Sequence, residues 1–390
     1  MSSDSSKPAG NREEFLLKTL LESSPDMIYF KDEKSRFLRV NPIMANRFKI
    51  GSVEEAVGKS DFDFFTPEHA GAAFADEQEI LRTGEPLLGR EEKETWPDGS
   101  TSWVTTSKLP LKDADGKIVG TFGISRDITD RKRAEIELQD SIQYAERIQK
   151  SMLNTHREVR VPGLNAFFLY RPRDIVSGDF FWMTQRDGMI FVAVADCTGH
   201  GVPGAFMSLI GHSLLEEIVG TKGMTQSNVI LSLLHQRIRK NLGQSSGMES
   251  ARDGMDICLC VLHPDKEKLF FSGAKRPLYY TDGKGGIHIC KADRTSIGGL
   301  QREQFRVFQM QTIALKPGQT FYLTTDGYAD QPSEANEKFG SIRLRKLLQE
   351  MDGLSLKEKQ ERLEATLNKH QGGKPQRDDI TLLGMEWRPQ

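Results

Sequence analysis

Apolar and polar positions divide the chain into segments of two periods. The first ten residues are polar and are expected to be disordered. From Arg12 to Glu22, Phe15, Leu16, Leu20 and Leu21 recur at helical spacing and predict a short amphipathic helix. Met27–Phe30 and Arg36–Val40 read as strands around the polar turn Asp32–Ser35. Asn41-Pro42 then opens a helix as cap and first residue, and short helices with glycine breaks run to Gly84. Three strands follow, Leu87–Thr95, Thr101–Leu109 and Ile118–Ile128, with Pro97-Asp-Gly-Ser100 and Asp113-Ala-Asp-Gly116 as turns.

Asp130–Leu153 is charged and helical in period. Ile128, Leu138, Ile142, Ala145 and Met152 form a seam at 4 and 3 spacing, interrupted by Arg131, Glu135 and Gln149; Ala134, Ile148 and Met152 form a competing one. A short coiled coil joining two copies of the chain is expected, with a solvated spacer as the alternative. Beyond it, strands are predicted at Phe167–Tyr170, Gly178–Thr184, Met189–Ala195, Met255–His263, Lys268–Ser272, Leu278–Thr281, Phe305–Leu315, Thr320–Thr325 and Asp379–Glu386. Helices are predicted at Gly204–Val219, Ser227–Leu242, Ser341–Glu350 and Leu356–His370, and Gln244–Asp253 reads as a mobile loop. The pattern is α+β and multidomain: 1–11 disordered, 12–129 a first domain, 130–153 a linker helix and 154–390 a second domain.

Composition narrows the picture. A chain of 390 residues exceeds one ordinary core, so more than one domain is expected. A net charge of −2 gives no bulk attraction to nucleic acid or anionic membrane. No run approaches the roughly 20 apolar residues of a membrane span. The polar start has no apolar signal core, so a cytoplasmic protein is expected. Cys197, Cys258, Cys260 and Cys290 are the only cysteines; Cys258 and Cys260 share one side of a strand and read as buried thiols, not a disulfide. The first domain has no cysteine, which excludes a cysteine–flavin adduct. Its one histidine, His69, reads as the exposed start of a helix rather than a haem ligand.

The chemistry lies in acids at strand edges. In Phe191-Val-Ala-Val-Ala-Asp-Cys-Thr-Gly-His-Gly-Val-Pro-Gly-Ala205 an apolar strand ends on Asp196 and a glycine-rich turn leads into a helix. Asp179 lies in Val176-Ser-Gly-Asp-Phe-Phe-Trp182, Asp326 in Phe321-Tyr-Leu-Thr-Thr-Asp-Gly327, and Asp378 and Asp379 in Arg377-Asp-Asp-Ile-Thr-Leu-Leu383. Any one of these reads equally well as a turn or cap acid. Together, converging carboxylates repel, and a hard cation such as Mg²⁺ or Mn²⁺ relieves that repulsion.

In order and rough spacing these four motifs resemble the SpoIIE-type serine phosphatases, the bacterial branch of the protein phosphatase 2C-like superfamily. The likeness covers about residues 155 to 388. It implies an α-β-β-α sandwich and two Mn²⁺ or Mg²⁺ ions sharing a water. In that scheme Asp196 bridges both ions, Asp179 and the Cys197 backbone carbonyl hold one, and Asp326 and Asp378 hold the other, with Asp379 as the fallback for Asp378. Cys197 replaces the glycine common in relatives, and its thiol is not a nucleophile in this scheme. His200 reads as a general acid or as a structural turn residue. Arg173 reads as a clamp for substrate phosphate or as a surface arginine.

The first domain resembles a PAS domain, carried by Ser24-Pro-Asp-Met-Ile-Tyr-Phe30, Asn41-Pro42, Pro97-Asp-Gly-Ser100 and Gly123-Ile-Ser-Arg-Asp-Ile-Thr-Asp130. That implies an antiparallel sheet with helices over one face and a pocket between them, for a small ligand or filled by side chains. The combined expectation is a sensor-regulated phosphoserine/phosphothreonine protein phosphatase, homodimeric through the coil and the PAS domain. The resemblance implies a phosphorylated anti-sigma-factor antagonist as the substrate. A catalytically silent scaffold is the alternative, against which the intact acid set argues. A histidine kinase is disfavoured, because the coil lacks a phosphoacceptor histidine and no glycine-rich ATP lid follows.

Overall fold

The computed structural model describes residues 9–153, 163–244, 252–299 and 305–388. The expected disorder of 1–11 and the loop at 244–253 fall largely outside these residues. The chain divides into two compact units, Met1–Leu138 and Gln139–Gln390.

In the first unit, helix α1 (Ala9–Ser23) precedes strands β1 (Met27–Asp32) and β2 (Phe37–Val40). Helix α2 (Pro42–Arg47) starts as expected: the Asn41 side chain accepts from the Met44 N–H, and Pro42 fills the first turn, where a missing N–H costs nothing. Helix α3 (Pro67–Thr83) leads to β3 (Leu87–Thr95), β4 (Thr101–Lys112) and β5 (Ile118–Asp127). The antiparallel order is β2-β1-β5-β4-β3. Phe37, Phe48, Phe64 and Phe65 fill the space between sheet and helices. Beside them Lys31, 1% exposed, bridges the carboxylates of Asp61 and Glu77, the latter at 2.6 Å. The remaining cavity there is about 30 Å³, room for a single water. His69 is half-buried against the Phe65 ring at 4.7 Å, not exposed, because its turn of α3 faces the sheet.

Helix α4 (Thr129–Leu153) spans the boundary between the units. Leu138, Ile148 and Met152 are exposed along it. Gln149 and Leu153 instead face inward, buried within the second unit. Gln149 is therefore no mere break in an apolar seam: it belongs to a different face.

The second unit contains two sheets. One has the order β14-β10-β9-β8-β7, built from β7 (Asp179–Arg186), β8 (Met189–Cys197), β9 (Gly254–His263), β10 (Lys268–Ala274) and β14 (Gln311–Ala314); β13 (Ile297–Gly298) pairs with β9. The other has the order β12-β11-β15-β16-β6, built from β6 (Leu164–Arg171), β11 (Leu278–Thr281), β12 (Ile287–Cys290), β15 (Thr320–Thr324) and β16 (Ile380–Trp387). Helices α5 (Gly201–Leu215) and α6 (Ser227–Asn241) pack on the first sheet; α8 (Ser341–Glu350) and α9 (Leu356–Gln371) pack on the second, and α7 (Gly327–Asp330) is one turn.

The strand period explains why central strands read as unbroken apolar runs. In β8, Phe191, Ala193 and Ala195 face α5 and α6, while Ile190, Val192 and Val194 face the other sheet. In β9 the same alternation sends Cys258 and Cys260 into the inter-sheet core as free, buried thiols.

Two predicted elements differ, and two short strands were not predicted. Phe305–Leu315 is a strand only over Gln311–Ala314, the part that finds a partner in β10; upstream, the Gln309 N–H is taken by the Asp293 side chain. The short strands β12 and β13 lack a run long enough to show a period. Helix α5 begins at Gly201, three residues early, because Pro203 is tolerated in a first turn.

Candidate metal centre

Strand register assembles the acids. Asp179 lies opposite Asp196 in the β7–β8 pair, and Asp196 opposite Asp256 in the β8–β9 pair. Directly opposed residues point to one face, and here that is the inter-sheet face, where Phe181, Val194 and Cys258 also lie. Three carboxylates therefore stand side by side at one end of one sheet. Like charges in that position repel.

The facing sheet brings its acids to the same end. Asp326 follows β15, and Asp378 and Asp379 precede β16. Thr325 links the sheets: its Oγ1 donates to Asp179 Oδ2 at 2.7 Å, and its backbone N–H donates to the Thr381 carbonyl at 3.0 Å. Gly327 is required here, since a Cβ would lie 1.9 Å from the Asp379 carbonyl oxygen. Asp196, Asp256, Asp326 and Asp378 line a cavity of about 290 Å³ together with Cys197, His200, Lys275 and Arg276.

The two adjacent acids stand in different surroundings. Asp379 is buried, and its carboxylate accepts the N–H groups of Arg173 and Gly178, both at 2.7 Å. It ties the Asp179 loop to β16. Asp378 is more exposed, lines the cavity, and accepts the Asp379 N–H at 2.9 Å. Cys197 ends β8 without positive φ, so its backbone does not demand the glycine common in relatives. Burial, then the neighbouring acids, push its thiol well above the ordinary range, which keeps it protonated.

The turn that follows is held by close backbone approach. A Cβ on Gly204 would sit 2.4 Å from the Gly199 carbonyl oxygen, and one on Gly178 2.6 Å from the same atom. His200 caps α5 and places Nδ1 2.9 Å from Asp174 Oδ2. Arg173 is exposed; its backbone N–H donates to Asp379, and its charge opposes the upward push on Asp378.

Three residues of this network had no role in it from the sequence. Asp256 is a lone acid near the start of an apolar strand, as Asp378 and Asp379 are. Arg276 Nη2 donates to Asp326 Oδ2 at 2.7 Å and lies 2.8 Å from Asp196 Oδ2 and 3.2 Å from Asp256 Oδ2. Gln149 Nε2 donates to the Ser177 carbonyl at 2.6 Å and to Ser208 Oγ at 2.9 Å, and its Oε1 accepts the Ser177 N–H at 3.1 Å. Neither of the last two carries a sequence signal, since each depends on a partner more than 20 residues away.

Burial, followed by the charge of Asp196, pushes Asp179 well above the ordinary carboxylate value. Asp196 is pushed up to about 8, first by burial; the Arg276 guanidinium opposes this, and Asp326, Asp256 and Asp378 add to it. Burial raises Asp378 as well. Among the described residues no three acids form a ready-made cage, because Arg276 lies between Asp196, Asp256 and Asp326. The donor set is nonetheless all oxygen, mutually repelling and open to a cavity, which fits a hard divalent cation.

Stacked sheets with helices against each and acids from both at one end define a PP2C-like phosphatase fold, here preceded by a PAS domain. The sequence profile of Stage II sporulation protein E (SpoIIE) matches residues 186–388, and that of the PAS fold matches residues 21–133. The chain belongs to the SpoIIE family. It is 34% identical to the SiaA-PP2C domain of Pseudomonas aeruginosa, with a TM-score of 0.58 over 65% of this chain and 98% of that one. It is 36% identical over 121 residues to the methanogenesis regulatory histidine kinase FilI of Methanothrix harundinacea, covering 31% of this chain and 13% of FilI. It is also 29% identical over 147 residues to the aerobic respiration control sensor protein ArcB of Escherichia coli, covering 37% of this chain and 18% of ArcB. The chain thus spans less than a fifth of each of these two curated relatives. No helix among the described residues is long and apolar enough to cross a membrane.

Proposed function

We propose that this chain is a PAS-regulated, Mn²⁺- or Mg²⁺-dependent phosphatase acting on phosphoserine or phosphothreonine of a partner protein. The observation that carries the reading is the in-register row Asp179, Asp196 and Asp256, faced by Asp326 and Asp378 from the second sheet. A fold tolerates such mutual repulsion where a cation repays it.

Asp196 would be shared between two ions, Asp179 and the Cys197 carbonyl would serve one, and Asp326 and Asp378 the other. Asp379 is fully engaged by backbone N–H groups and serves as a brace. Ions held there would lower the pKa of a shared water and polarise the phosphoryl oxygens. The chain's own part is to fix the acids and bind the phosphoryl group. Cys197, protonated and buried, takes no part as a nucleophile, and His200, paired with Asp174, is a turn residue at the rim. A small anti-sigma-factor antagonist is the substrate the family resemblance favours. The exposed Leu138, Ile148 and Met152 support pairing of α4 with a second copy.

Asp326→Asn tests the assignment: metal-dependent hydrolysis of p-nitrophenyl phosphate should fall by at least about a hundredfold while the circular dichroism spectrum is unchanged. Full activity in that variant would remove Asp326 from the metal site.

A further inference from the structure

We propose that Arg276 is the residue that takes hold of the substrate's phosphoryl group, an inference that rests on the phosphatase reading above.

Its placement is unusual for a counter-charge. A single nitrogen, Nη2, serves Asp196, Asp256 and Asp326, although it carries only two N–H groups. The buried Nε has no hydrogen-bond partner. An arginine that merely neutralised carboxylates would spread its fork over them, pairing two nitrogens with one acid. One donor of the fork is thus without a protein partner in a side chain that lines the cavity.

The backbone invests in this placement. Lys275 adopts φ +56°, a left-handed conformation that a lysine reaches at a cost. The turn closes with the Arg276 N–H donating to the Ala274 carbonyl and the Lys275 N–H to the Asp293 carbonyl, both at 2.7 Å. This bend ends β10 and delivers Lys275 and Arg276 to the cavity that Asp196, Asp326 and Asp378 line.

Charge gives the order of events. The cavity lining carries four carboxylates against Lys275 and Arg276, a formal net of −2. A phosphate dianion is repelled by that set. Two divalent ions on the acids would turn the same lining to +2, and two of the carboxylates proposed to hold them, Asp196 and Asp326, are partners of Arg276. Arg276 freed from those carboxylates would offer a planar fork that matches two phosphate oxygens. The arginine thus exchanges carboxylate partners for the phosphoryl group. Arg173, the candidate from sequence, does not line this cavity.

The test uses the full-length protein and two titrations that need no turnover. Calorimetry measures Mn²⁺ affinity in wild type, Arg276→Ala and Arg276→Lys. Inorganic phosphate is then titrated into each Mg²⁺-loaded protein. Arg276→Ala is expected to bind phosphate about ten- to a hundredfold more weakly, the loss of a charge-assisted pair of hydrogen bonds. It is also expected to bind Mn²⁺ several-fold more tightly, because a competitor for the acids is gone. Arg276→Lys, which keeps charge without the fork and guards against a folding defect, should fall between. Unchanged phosphate affinity in both variants overturns the proposal. Weaker Mn²⁺ binding in Arg276→Ala also overturns it, because Arg276 would then be a brace that shapes the acids. A wild-type protein that binds no Mn²⁺ would instead overturn the phosphatase reading itself.

Discussion

Replacing Gln149 by alanine should damage the catalytic unit from outside its cavity. Gln149 is 3% exposed, and its amide makes three hydrogen bonds, two to the backbone of Ser177 and one to Ser208 Oγ. Ser177 is fully buried, so the variant leaves its N–H without a partner or water and its carbonyl with only the longer bond from Ser208 Oγ, at 3.3 Å. Each orphaned buried group costs about 1–3 kcal/mol. The Ser208 hydroxyl also bonds the carbonyls of Ser177 and Ala205, so it adds little. The expected loss is therefore about 2–4 kcal/mol, which in a unit of this size lowers Tm by roughly 5–15 °C. Ser177 is two residues from Asp179, so Mn²⁺ affinity should fall as well. Differential scanning fluorimetry and Mn²⁺ calorimetry on the full-length protein read both effects. Gln149→Glu should be worse, because it loses both donated bonds and adds a charge near the acids. A Tm within 1 °C of wild type with unchanged Mn²⁺ affinity would refute the reasoning.

Gly327→Ala should abolish metal binding while Gly220→Ala should not. The first drives a Cβ to 1.9 Å from the Asp379 carbonyl, where the second meets only Glu216 Oε2 at an ordinary 3.5 Å; calorimetry with Mn²⁺ distinguishes them. In EDTA the catalytic unit should grow more stable as pH falls from about 8 toward 5, the reverse of ordinary acid unfolding. Asp196 is pushed from 3.8 to about 8 by burial first of all, so the proton it gains on folding stabilises below that range, and this stability is lost as pH rises through 8. Asp196→Asn should flatten this profile, as read by urea midpoints at each pH. In the PAS unit, Lys31→Met strands the buried carboxylates of Asp61 and Glu77 and should cost about 3–5 kcal/mol, visible as a lower melting transition of that unit.

The elements legible from sequence were those with a sustained period or strong punctuation. The buried strands β8 and β9 announced themselves as apolar runs, α8 matched to the residue, and Asn41-Pro42 gave the start of α2. The four acid motifs were legible because an acid at the end of an apolar strand is anomalous. What stayed hidden depends on register. Asp256 becomes an active-site candidate only once β9 is set beside β8, and the division of labour between Asp378 and Asp379 rests on which one meets the Gly178 N–H. Gln149 interrupts a heptad on paper, yet its polarity is what the buried Ser177 backbone requires. Arg276 sits in a strained turn whose purpose is visible only with its three carboxylate partners.

The most direct measurement is Mn²⁺-dependent release of phosphate from a phosphoserine peptide by full-length protein, beside Asp196→Asn, each followed by excess EDTA. The account predicts turnover in wild type that saturates with Mn²⁺, stops with EDTA, and is absent in the folded variant. Turnover that survives EDTA, or is equal in Asp196→Asn, would contradict the claim that these carboxylates hold the catalytic metals.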